Sequence, residues 1–251
     1  MTLVVPARAK LNLDLEVLSR GTDGFHQIKT RLQAIALHDL LELTPADRTT
    51  FAATGLTVPH QQNNSVLKAH AALEQVAARK LPTRFDLHKR IPSGAGLGGA
   101  SSDAAAALRG LKAIHGLKVD LDEIAASVGA DVPFFLKGGT ALAEGHGERL
   151  TKLPDGNGCF AIVWPGIELL TANVYRAWDE VKGDGPNQLH RAALQVAPKL
   201  QDFATRLGPK WQMTGSGSAF FRRFDDQHAA RKATAHLDCW TAITHAVGGW
   251  A

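Results

Sequence analysis

The chain is poor in the residues that form cross-links or thiolate metal sites. Only two of its 251 residues are cysteines, Cys159 and Cys239, and they lie far apart without a CxxC spacing. This excludes a disulfide framework and a cysteine-based zinc site. Because unpaired cysteines suit a reducing compartment, the composition predicts a cytoplasmic protein.

Long apolar runs and long runs of one charge are also missing. No apolar run approaches the ~18 residues that a transmembrane helix requires, and the apolar start of the chain is too short for a signal peptide. Lysine and arginine number 28 against 24 acidic residues, but the basic residues are scattered in pairs. We therefore expect anionic small-molecule ligands, no membrane partner and no nucleic-acid partner. The sequence leaves the oligomeric state open.

What the sequence does contain is enough apolar material for a large core. Hydrophobic residues make up 45% of the chain, which fits one large or two smaller domains. Strand-like and helix-like segments follow one another without strict alternation, and this predicts the α+β class. Residues 153–158 (LPDGNG) form the densest turn cluster. We therefore expect a domain boundary there, between residues 1–153 and residues 154–251.

Two strands are predicted near the start of the chain. Residues 8–15 alternate between polar and apolar types, so a strand is expected with Lys10 and Asn12 on its solvent-facing side. Residues 28–43 are mostly apolar and strand-like, and they end close to Pro45. This pattern predicts a second, longer strand with a buried face.

Two helices are predicted in the same half of the chain. Residues 65–78 have helical spacing, with Asn64 or Ser65 as the N-cap and Val76 among the buried positions. A second helix is expected after the glycine-rich residues 92–103, where alanine and leucine recur at helical spacing.

Residues 92–103 (PSGAGLGGASSD) are the most informative segment of the chain. Glycine permits backbone conformations that turn N–H groups toward one point, and a helix N-terminus behind such a loop attracts anions. The segment therefore predicts a phosphate site. Ser101, Ser102 and Asp103 also offer oxygens that can cap the following helix.

Two common types of phosphate loop do not fit this segment. A Walker A loop requires a lysine after the glycines, and none follows here. Gly94, Gly96 and Gly99 match the dinucleotide-binding pattern, which also requires an acid about 20 residues later, after a second strand. The acids near that distance, Asp120 and Asp122, lie in a helix-capping sequence instead.

Three motifs in order resemble those of the GHMP kinases. Residues 92–102 are similar to the central motif of that superfamily, and residues 9–13 (AKLNL) and 213–219 (MTGSGSA) are similar to the motifs on either side. The resemblance implies an ATP-dependent small-molecule kinase with a two-domain fold. Its N-terminal domain would be a ribosomal-protein-like β-α-β unit, and its C-terminal domain a ferredoxin-like α+β unit.

Within that superfamily, the chain resembles the 4-diphosphocytidyl-2-C-methyl-D-erythritol kinases. Residues 23–26 (DGFH), 129–134 (GADVPF) and 143–148 (AEGHGE) carry this likeness. It implies that the γ-phosphoryl group of ATP, bound with Mg²⁺, is transferred to the 2-hydroxyl of a cytidine-diphosphate-linked methylerythritol. That reaction belongs to the non-mevalonate pathway to isoprenoid precursors.

The resemblance also implies roles for individual residues in phosphoryl transfer. Asp131 would accept the proton of the attacking hydroxyl, and Lys10 beside it would neutralise developing charge. Ser101 or Ser102 would contact Mg²⁺ together with the ATP phosphates. The residues implied in ATP binding are Asn64, Lys89, Pro92, Ser93, Gly94, Ala95, Gly96, Leu97, Gly98, Gly99, Ala100, Ser101 and Ser102.

Recognition of the cytidine end is implied in the same way. Phe25 would stack on the cytosine, Tyr175 would close its other face, and His26 would hydrogen-bond the base. Phe25 stands where the family commonly has tyrosine, so the ring is kept and the hydroxyl is lost. The remaining residues implied in substrate binding are Asn12, Thr171, Gly215 and Ser216.

Other functions remain open on the sequence alone. One is a different GHMP kinase, of the homoserine or mevalonate type. Another is a basic RNA-binding protein that shares the N-terminal fold, for which salt-sensitive RNA binding is expected and Asp131 has no role. A nicotinamide-dependent dehydrogenase is the third alternative.

Overall fold

The computed structural model of the chain describes residues 1–21, 24–58 and 64–250. Within these ranges the chain forms two sheets and eight helices. Residue 23, which belongs to one of the kinase-like motifs, lies outside the described residues. None of the described helices has an apolar stretch long enough to cross a bilayer.

The strands of the described residues fall into two groups along the chain. The first group is β1 (Leu3–Asn12), β2 (Glu16–Arg20), β3 (His26–Pro45), β4 (Thr50–Gly55), β5 (Thr83–Lys89), β6 (Thr140–Gly145) and β7 (Arg149–Leu153). The second group is β8 (Cys159–Trp164), β9 (Gln212–Met213), β10 (Phe220–Phe224) and β11 (Trp240–His245).

The helices are also divided between the two halves of the chain. The first half has α1 (Ser65–Ala77), α2 (Gly99–Ile114), α3 (Asp122–Val128) and α4 (Val132–Lys137). The second half has α5 (Thr171–Val181), α6 (His190–Val196), α7 (Lys199–Leu207) and α8 (Gln227–Thr234).

The first sheet is organised around β3, its longest strand. β3 pairs with β1, β2, β5 and β6, and the order along the sheet is β4-β5-β3-β6-β7. All of these pairs are antiparallel except β4 with β5. The largest core lies between this sheet and helices α1 to α4, with Leu41, Phe85 and Phe134 fully enclosed. Burial of each such side chain contributes roughly 1.5–3 kcal/mol of apolar transfer free energy.

The second sheet is antiparallel, with the order β11-β8-β10-β9. Its core packs Phe220 and Val163 against helices α5 to α7. The end of the chain then returns to the first sheet, where the Trp250 ring lies 3.7 Å from each of the Arg8 and Arg109 guanidinium groups. The two sheets are therefore joined by packing as well as by the chain.

The domain boundary between residues 153 and 154 stays a prediction. The first sheet is built from residues 3–153 and the second from residues 159–245, so the boundary falls between them. However, the segment after β11 contacts the first sheet, because an isolated bridge joins Ala246 to Ile35.

The α+β class is confirmed, and so are the principal predicted elements. β3 covers residues 28–43, and α1 and α2 lie where helices were expected. The prediction that Val76 is buried is wrong, since it is 55% exposed. The buried face of α1 is displaced around the helix relative to the expected one, and its members are Val66, Ala69, His70 and Leu73.

The prediction for the first strand is wrong on one point. Lys10 and Asn12 were expected to face solvent, but both are 4% exposed. Alternation fails here because the opposite face, with Ala9 and Leu11, is buried as well. The polar side is covered by the loop before α2 and by the loop between β9 and β10, which the local pattern of the strand does not reveal.

Candidate active site

A cavity of about 640 Å³ lies where β1 meets the glycine loop, which we define as residues 92–98, and the loop between β9 and β10. Most of the site residues expected from sequence line this cavity. They are Lys10, Asn12, Asn64, Lys89, Pro92, Ser93, Gly94, Ala95, Gly96, Leu97, Gly98, Gly99, Ala100, Ser101, Asp131, Thr171, Tyr175, Gly215 and Ser216. Phe25, His26 and Ser102 are the expected residues that lie outside its lining.

The glycine loop leads into α2 without a side-chain cap. Gly98 occupies the N-cap in a left-handed conformation, with φ 74°, and no side chain bonds to the first N–H groups. The expected capping by Ser101, Ser102 or Asp103 is therefore wrong, because the helix begins at Gly99, before these residues. The uncapped N–H groups and the positive end of the helix dipole remain available to an anion.

Gly96 is the point where the glycine loop contacts the loop between β9 and β10. Its φ is 77°, and a Cβ there would lie 2.2 Å from the Thr214 carbonyl oxygen. Only glycine allows this approach. The neighbouring Ala95 carbonyl accepts a hydrogen bond from the Ala219 N–H at 3.0 Å. The central and third kinase-like motifs are thus in direct contact.

Lys10 and Asn12 form a buried polar pair on β1. Lys10 Nζ donates to Asn12 Oδ1 and, at 2.9 Å, to the Gly96 carbonyl oxygen. Asn12 Nδ2 donates to Thr30 Oγ1 at 2.9 Å, and its backbone N–H donates to Thr214 Oγ1 at the same distance. Burial lowers the pKa of Lys10, and the charge of Asp131 partly opposes that shift.

Asp131 stands at the N-cap of α4 and lines the cavity. Its side chain makes no capping hydrogen bond to the helix, so the carboxylate is not required to stabilise that helix end. Asp131 was expected to lie beside Lys10, and the two side chains interact electrostatically without a direct hydrogen bond. Among the described residues, no hydrogen bond or ion pair joins the two side chains, although Asp131 acts on the pKa of Lys10.

Lys89 is buried beneath the glycine loop. Its Nζ lies 2.5 Å from Asp39 Oδ2 and 2.7 Å from Asp103 Oδ2. Burial raises the pKa of Asp103, while Lys89 lowers it and Asp39 raises it further. The Lys89 ammonium therefore has two acidic side chains as direct partners at the edge of the cavity.

Asn64 has an identified structural role. Its Oδ1 accepts a hydrogen bond from the Val66 N–H at 2.8 Å and so caps α1. This confirms one of the two caps expected from sequence. The residue also lines the cavity, so the cap helps to fix its position in the cavity wall.

Of the residues expected to bind cytosine, Tyr175 lines the cavity, whereas Phe25 and His26 lie outside its lining. Phe25 is 68% exposed, and its ring lies 5.8 Å from that of His146. The His26 ring stacks on Tyr175 at 5.5 Å, and His26 Nε2 lies 2.7 Å from Asp179 Oδ1. Tyr175 therefore contacts His26 in this structure.

The second half of the chain contributes the remaining expected residues. Thr171 Oγ1 and Ser216 Oγ are hydrogen-bonded at 3.0 Å, across the start of α5 and the loop between β9 and β10. Asn187 Nδ2 donates to the carbonyl oxygens of Met213 and Gly215, at 2.8 and 2.9 Å. The buried Asn187 thereby fixes the loop that closes the cavity.

Sequence reasoning missed four residues that support this site, namely Asp39, Asp103 as an ion-pair partner, Asp179 and Asn187. Asp103 was visible next to the two serines, but its position suggested capping. The other three occur in ordinary polar or apolar surroundings. Their roles depend on contacts between segments that are far apart in sequence.

The described residues hold no pre-formed metal site. They contain no group of three or more histidine, cysteine, aspartate or glutamate side chains placed to hold a metal ion. Mg²⁺ bound with a nucleotide usually takes one or two protein oxygens and completes its coordination with phosphates and water. Ser101, which lines the cavity, carries a hydroxyl that fits that smaller requirement.

Comparison with known proteins agrees with these motifs. The family described as GHMP kinases N terminal domain matches residues 64–139. A protein of Caldanaerobacter subterraneus subsp. tengcongensis, named 4-diphosphocytidyl-2-C-methyl-D-erythritol kinase, is 34% identical over 90% of this chain and 89% of its own length. A protein of Thermotoga maritima with the same name is 35% identical over 85% of this chain and 89% of its own length.

Solved structures extend the comparison to the fold. A crystal structure of 4-(cytidine 5'-diphospho)-2C-methyl-D-erythritol kinase superposes with a TM-score of 0.84 at 33% identity, covering 98% of this chain and 100% of the other. Homoserine kinase from Cytophaga hutchinsonii has a TM-score of 0.69 at 18% identity, covers 99% and 95% of the two chains, and so shares the fold. The chain is an ATP-dependent small-molecule kinase and belongs to the GHMP kinases, in the family of its 4-diphosphocytidyl-2-C-methyl-D-erythritol kinase relatives.

Proposed function

We propose that this kinase transfers the γ-phosphoryl group of ATP to the 2-hydroxyl of 4-diphosphocytidyl-2-C-methyl-D-erythritol, a step toward isoprenoid precursors. The observation that carries the proposal is the convergence of the glycine loop, Lys10 and Asp131 on one cavity. Such transfer needs positioning and charge neutralisation more than covalent participation by the protein. The acceptor is proposed from the names of the relatives.

The triphosphate of ATP is assigned to the glycine loop and the N-terminus of α2. The uncapped N–H groups there supply donors, and the helix dipole favours negative charge. Mg²⁺, when bound with ATP, would neutralise phosphate charge, and the Ser101 hydroxyl would supply a protein oxygen to it. Ser102 is buried, and it lies outside the cavity lining, so Ser101 is the better of the two candidates.

Asp131 and Lys10 are assigned to the transfer step. Asp131 takes the proton of the attacking hydroxyl, whose oxygen bonds to the γ-phosphorus while the bond to the bridging oxygen breaks and releases ADP. Lys10 places a positive charge beside the glycine loop, where its hydrogen bond to the Gly96 carbonyl holds it. That charge stabilises the transferring oxygens.

The cytidine end is assigned to Tyr175 on the cavity wall and to Phe25 and His26, which contact residues of that wall. The exposed Phe25 ring offers a stacking surface, and the His26–Tyr175 stack forms a second wall. The acceptor alcohol would then reach Asn12 and the loop that carries Gly215. Thr171 and Ser216, which are hydrogen-bonded to each other, would contact the substrate between these points.

We also place the enzyme in the cytoplasm. Cys159 and Cys239 are both free thiols in the structure, and free cysteines suit a reducing compartment. Fractionation of the source cells, with the kinase detected by antibody, tests this assignment. Detection outside the cytoplasm would contradict it.

The experiment for the activity is an ATP-consumption assay with 4-diphosphocytidyl-2-C-methyl-D-erythritol, homoserine and mevalonate in parallel. We expect turnover with the cytidine substrate alone. If homoserine or mevalonate is phosphorylated instead, the proposed acceptor is wrong and that alcohol is the substrate. If no alcohol is phosphorylated while RNA binds tightly and with strong salt dependence, the RNA-binding alternative is correct.

Two variants test the cytidine assignment specifically. Phe25→Ala and His26→Ala are expected to raise KM for the cytidine substrate at least tenfold, because stacking and hydrogen bonding to the base are lost. The Kd for ATP should be unchanged, since neither residue lines the cavity. Full activity in both folded variants would show that the base binds elsewhere.

A further inference from the structure

Three buried ionisable side chains, Asp39, Lys89 and Asp103, meet directly beneath the glycine loop. Their exposed fractions are 0%, 5% and 2%. The Lys89 Nζ lies 2.5 Å from Asp39 Oδ2 and 2.7 Å from Asp103 Oδ2. Buried ion pairs of this kind contribute little net stability compared with apolar packing of the same volume. We therefore looked to function, and not to stability, for the role of these three side chains.

The three residues belong to different elements on either side of the glycine loop. Asp39 lies on β3, and its Oδ1 accepts hydrogen bonds from the backbone N–H groups of Arg90 and Ile91, at 2.5 and 2.8 Å. These two residues immediately precede the loop. Asp103 lies on α2, just after the loop, and Lys89 at the end of β5 joins the two acids.

We propose that Asp39, Lys89 and Asp103 form a positioning clamp that holds both ends of the glycine loop in the geometry that binds the triphosphate of ATP. The clamp fixes the start of the loop through Asp39 and its end through Asp103. It rests on the proposed placement of ATP at this loop. Asp39 does not line the cavity, so its influence on ATP passes through the loop backbone.

Removal of the Asp39 charge should strengthen ATP binding if only electrostatic repulsion matters, but should weaken it if the clamp holds the loop. The direction of the change in ATP affinity therefore tests the proposal. An acid beneath a phosphate site repels the ligand, so the removal of its charge would by itself strengthen ATP binding. The clamp requires the carboxylate to hold two backbone N–H groups and Lys89 at once. An amide cannot accept from all of them, because one of its two polar atoms is a donor.

The variant Asp39→Asn leaves Lys89 paired with Asp103, so no buried charge loses its last partner. Lys89→Met breaks the link between the two acids. We expect each folded variant to raise the Kd of the ATP analogue AMP-PNP by about tenfold in calorimetric titration of the full chain. KM for the alcohol acceptor should change by less than about twofold, because the clamp does not contact the cytidine region.

Thr140→Val is the matched control. Thr140 Oγ1 donates to Gln33 Oε1 and accepts from the Gly156 N–H, both at 2.7 Å, in a buried polar network away from the cavity. This variant should lower the thermal midpoint and leave the Kd for AMP-PNP unchanged. A similar loss of AMP-PNP affinity in Thr140→Val would show that the effect of the clamp variants reflects general destabilisation.

The clamp is overturned if folded Asp39→Asn or Lys89→Met binds AMP-PNP within about twofold of the wild type, or if Asp39→Asn binds it more tightly. Hydrogen exchange of the wild type provides a test that needs no variant. The Ile91 amide should exchange slowly without nucleotide, and protection that arises only with AMP-PNP would contradict a pre-formed loop. AMP-PNP binding without turnover of the cytidine substrate would reject the proposed acceptor and still test the clamp.

Discussion

Lys10 Nζ donates a hydrogen bond to the Gly96 carbonyl oxygen over 2.9 Å, and this contact joins the first strand to the glycine loop. The first and central kinase-like motifs thereby share one charged group. Because the ammonium is buried, its protonation is sensitive to its surroundings. Lys10 consequently makes the contact between β1 and the glycine loop sensitive to pH.

Lys10 predicts an alkaline loss of activity. Burial lowers the pKa of Lys10, so its positive charge disappears as pH rises, at a lower pH than for an ordinary lysine near 10.4. We therefore expect kcat/KM to decline as pH rises, and the decline should begin at a lower pH than the pKa of an ordinary lysine. In Lys10→Arg the guanidinium stays charged, so kcat should be lower but the alkaline decline should vanish. An identical decline in both enzymes would assign it to another group.

Asp131 is expected to act on turnover and not on nucleotide affinity. Asp131→Asn keeps the size of the side chain and removes the base, so kcat should fall by about 10²–10⁴-fold. The Kd for AMP-PNP should stay within about twofold. Asp86→Asn, at an exposed ion pair with Arg84 on β5, is the control and should retain full activity. An active Asp131→Asn enzyme would refute its assignment as the base.

Asp179 is expected to orient His26. Since Asp179 Oδ1 lies 2.7 Å from His26 Nε2, the carboxylate favours a proton on Nε2 and leaves Nδ1 as an acceptor for the amino group of cytosine. Asp179→Asn should raise KM for the cytidine substrate about fivefold to tenfold, with KM for ATP unchanged. Glu180→Gln, the next residue on α5, is the control. Equal effects of both variants would exclude a specific role for Asp179.

Gly96 and Gly166 allow the effect of a steric clash on stability to be separated from the effect of backbone strain. Their φ angles are 77° and 76°, but a Cβ on Gly96 would lie 2.2 Å from the Thr214 oxygen, whereas Gly166 has nothing within 4 Å. Gly166→Ala should cost about 1–2 kcal/mol of unfolding free energy from backbone strain alone. Gly96→Ala should cost more in urea denaturation and also weaken AMP-PNP binding. Equal losses would show that the loop can yield.

Secondary structure was predictable where one local signal governed the residue. The length of β3, the start of α1 at its Asn64 cap and the course of α2 all follow from periodicity and capping. The short strands β2, β4, β7 and β11 were not predicted. They form because the long strands and sheet edges beside them supply hydrogen-bonding partners, which no short segment encodes by itself.

The sequence by itself determined the three kinase-like motifs, the glycine-rich loop within residues 92–103 and the α+β class, because these depend on residue type and short spacing. Only the tertiary structure decided that Lys10 is buried and that Lys89 is shared by Asp39 and Asp103. Burial and ion pairing depend on segments that meet after the chain has folded. The contact of Gly96 with Thr214 arises in the same way, since the two residues meet only when the two sheets pack together.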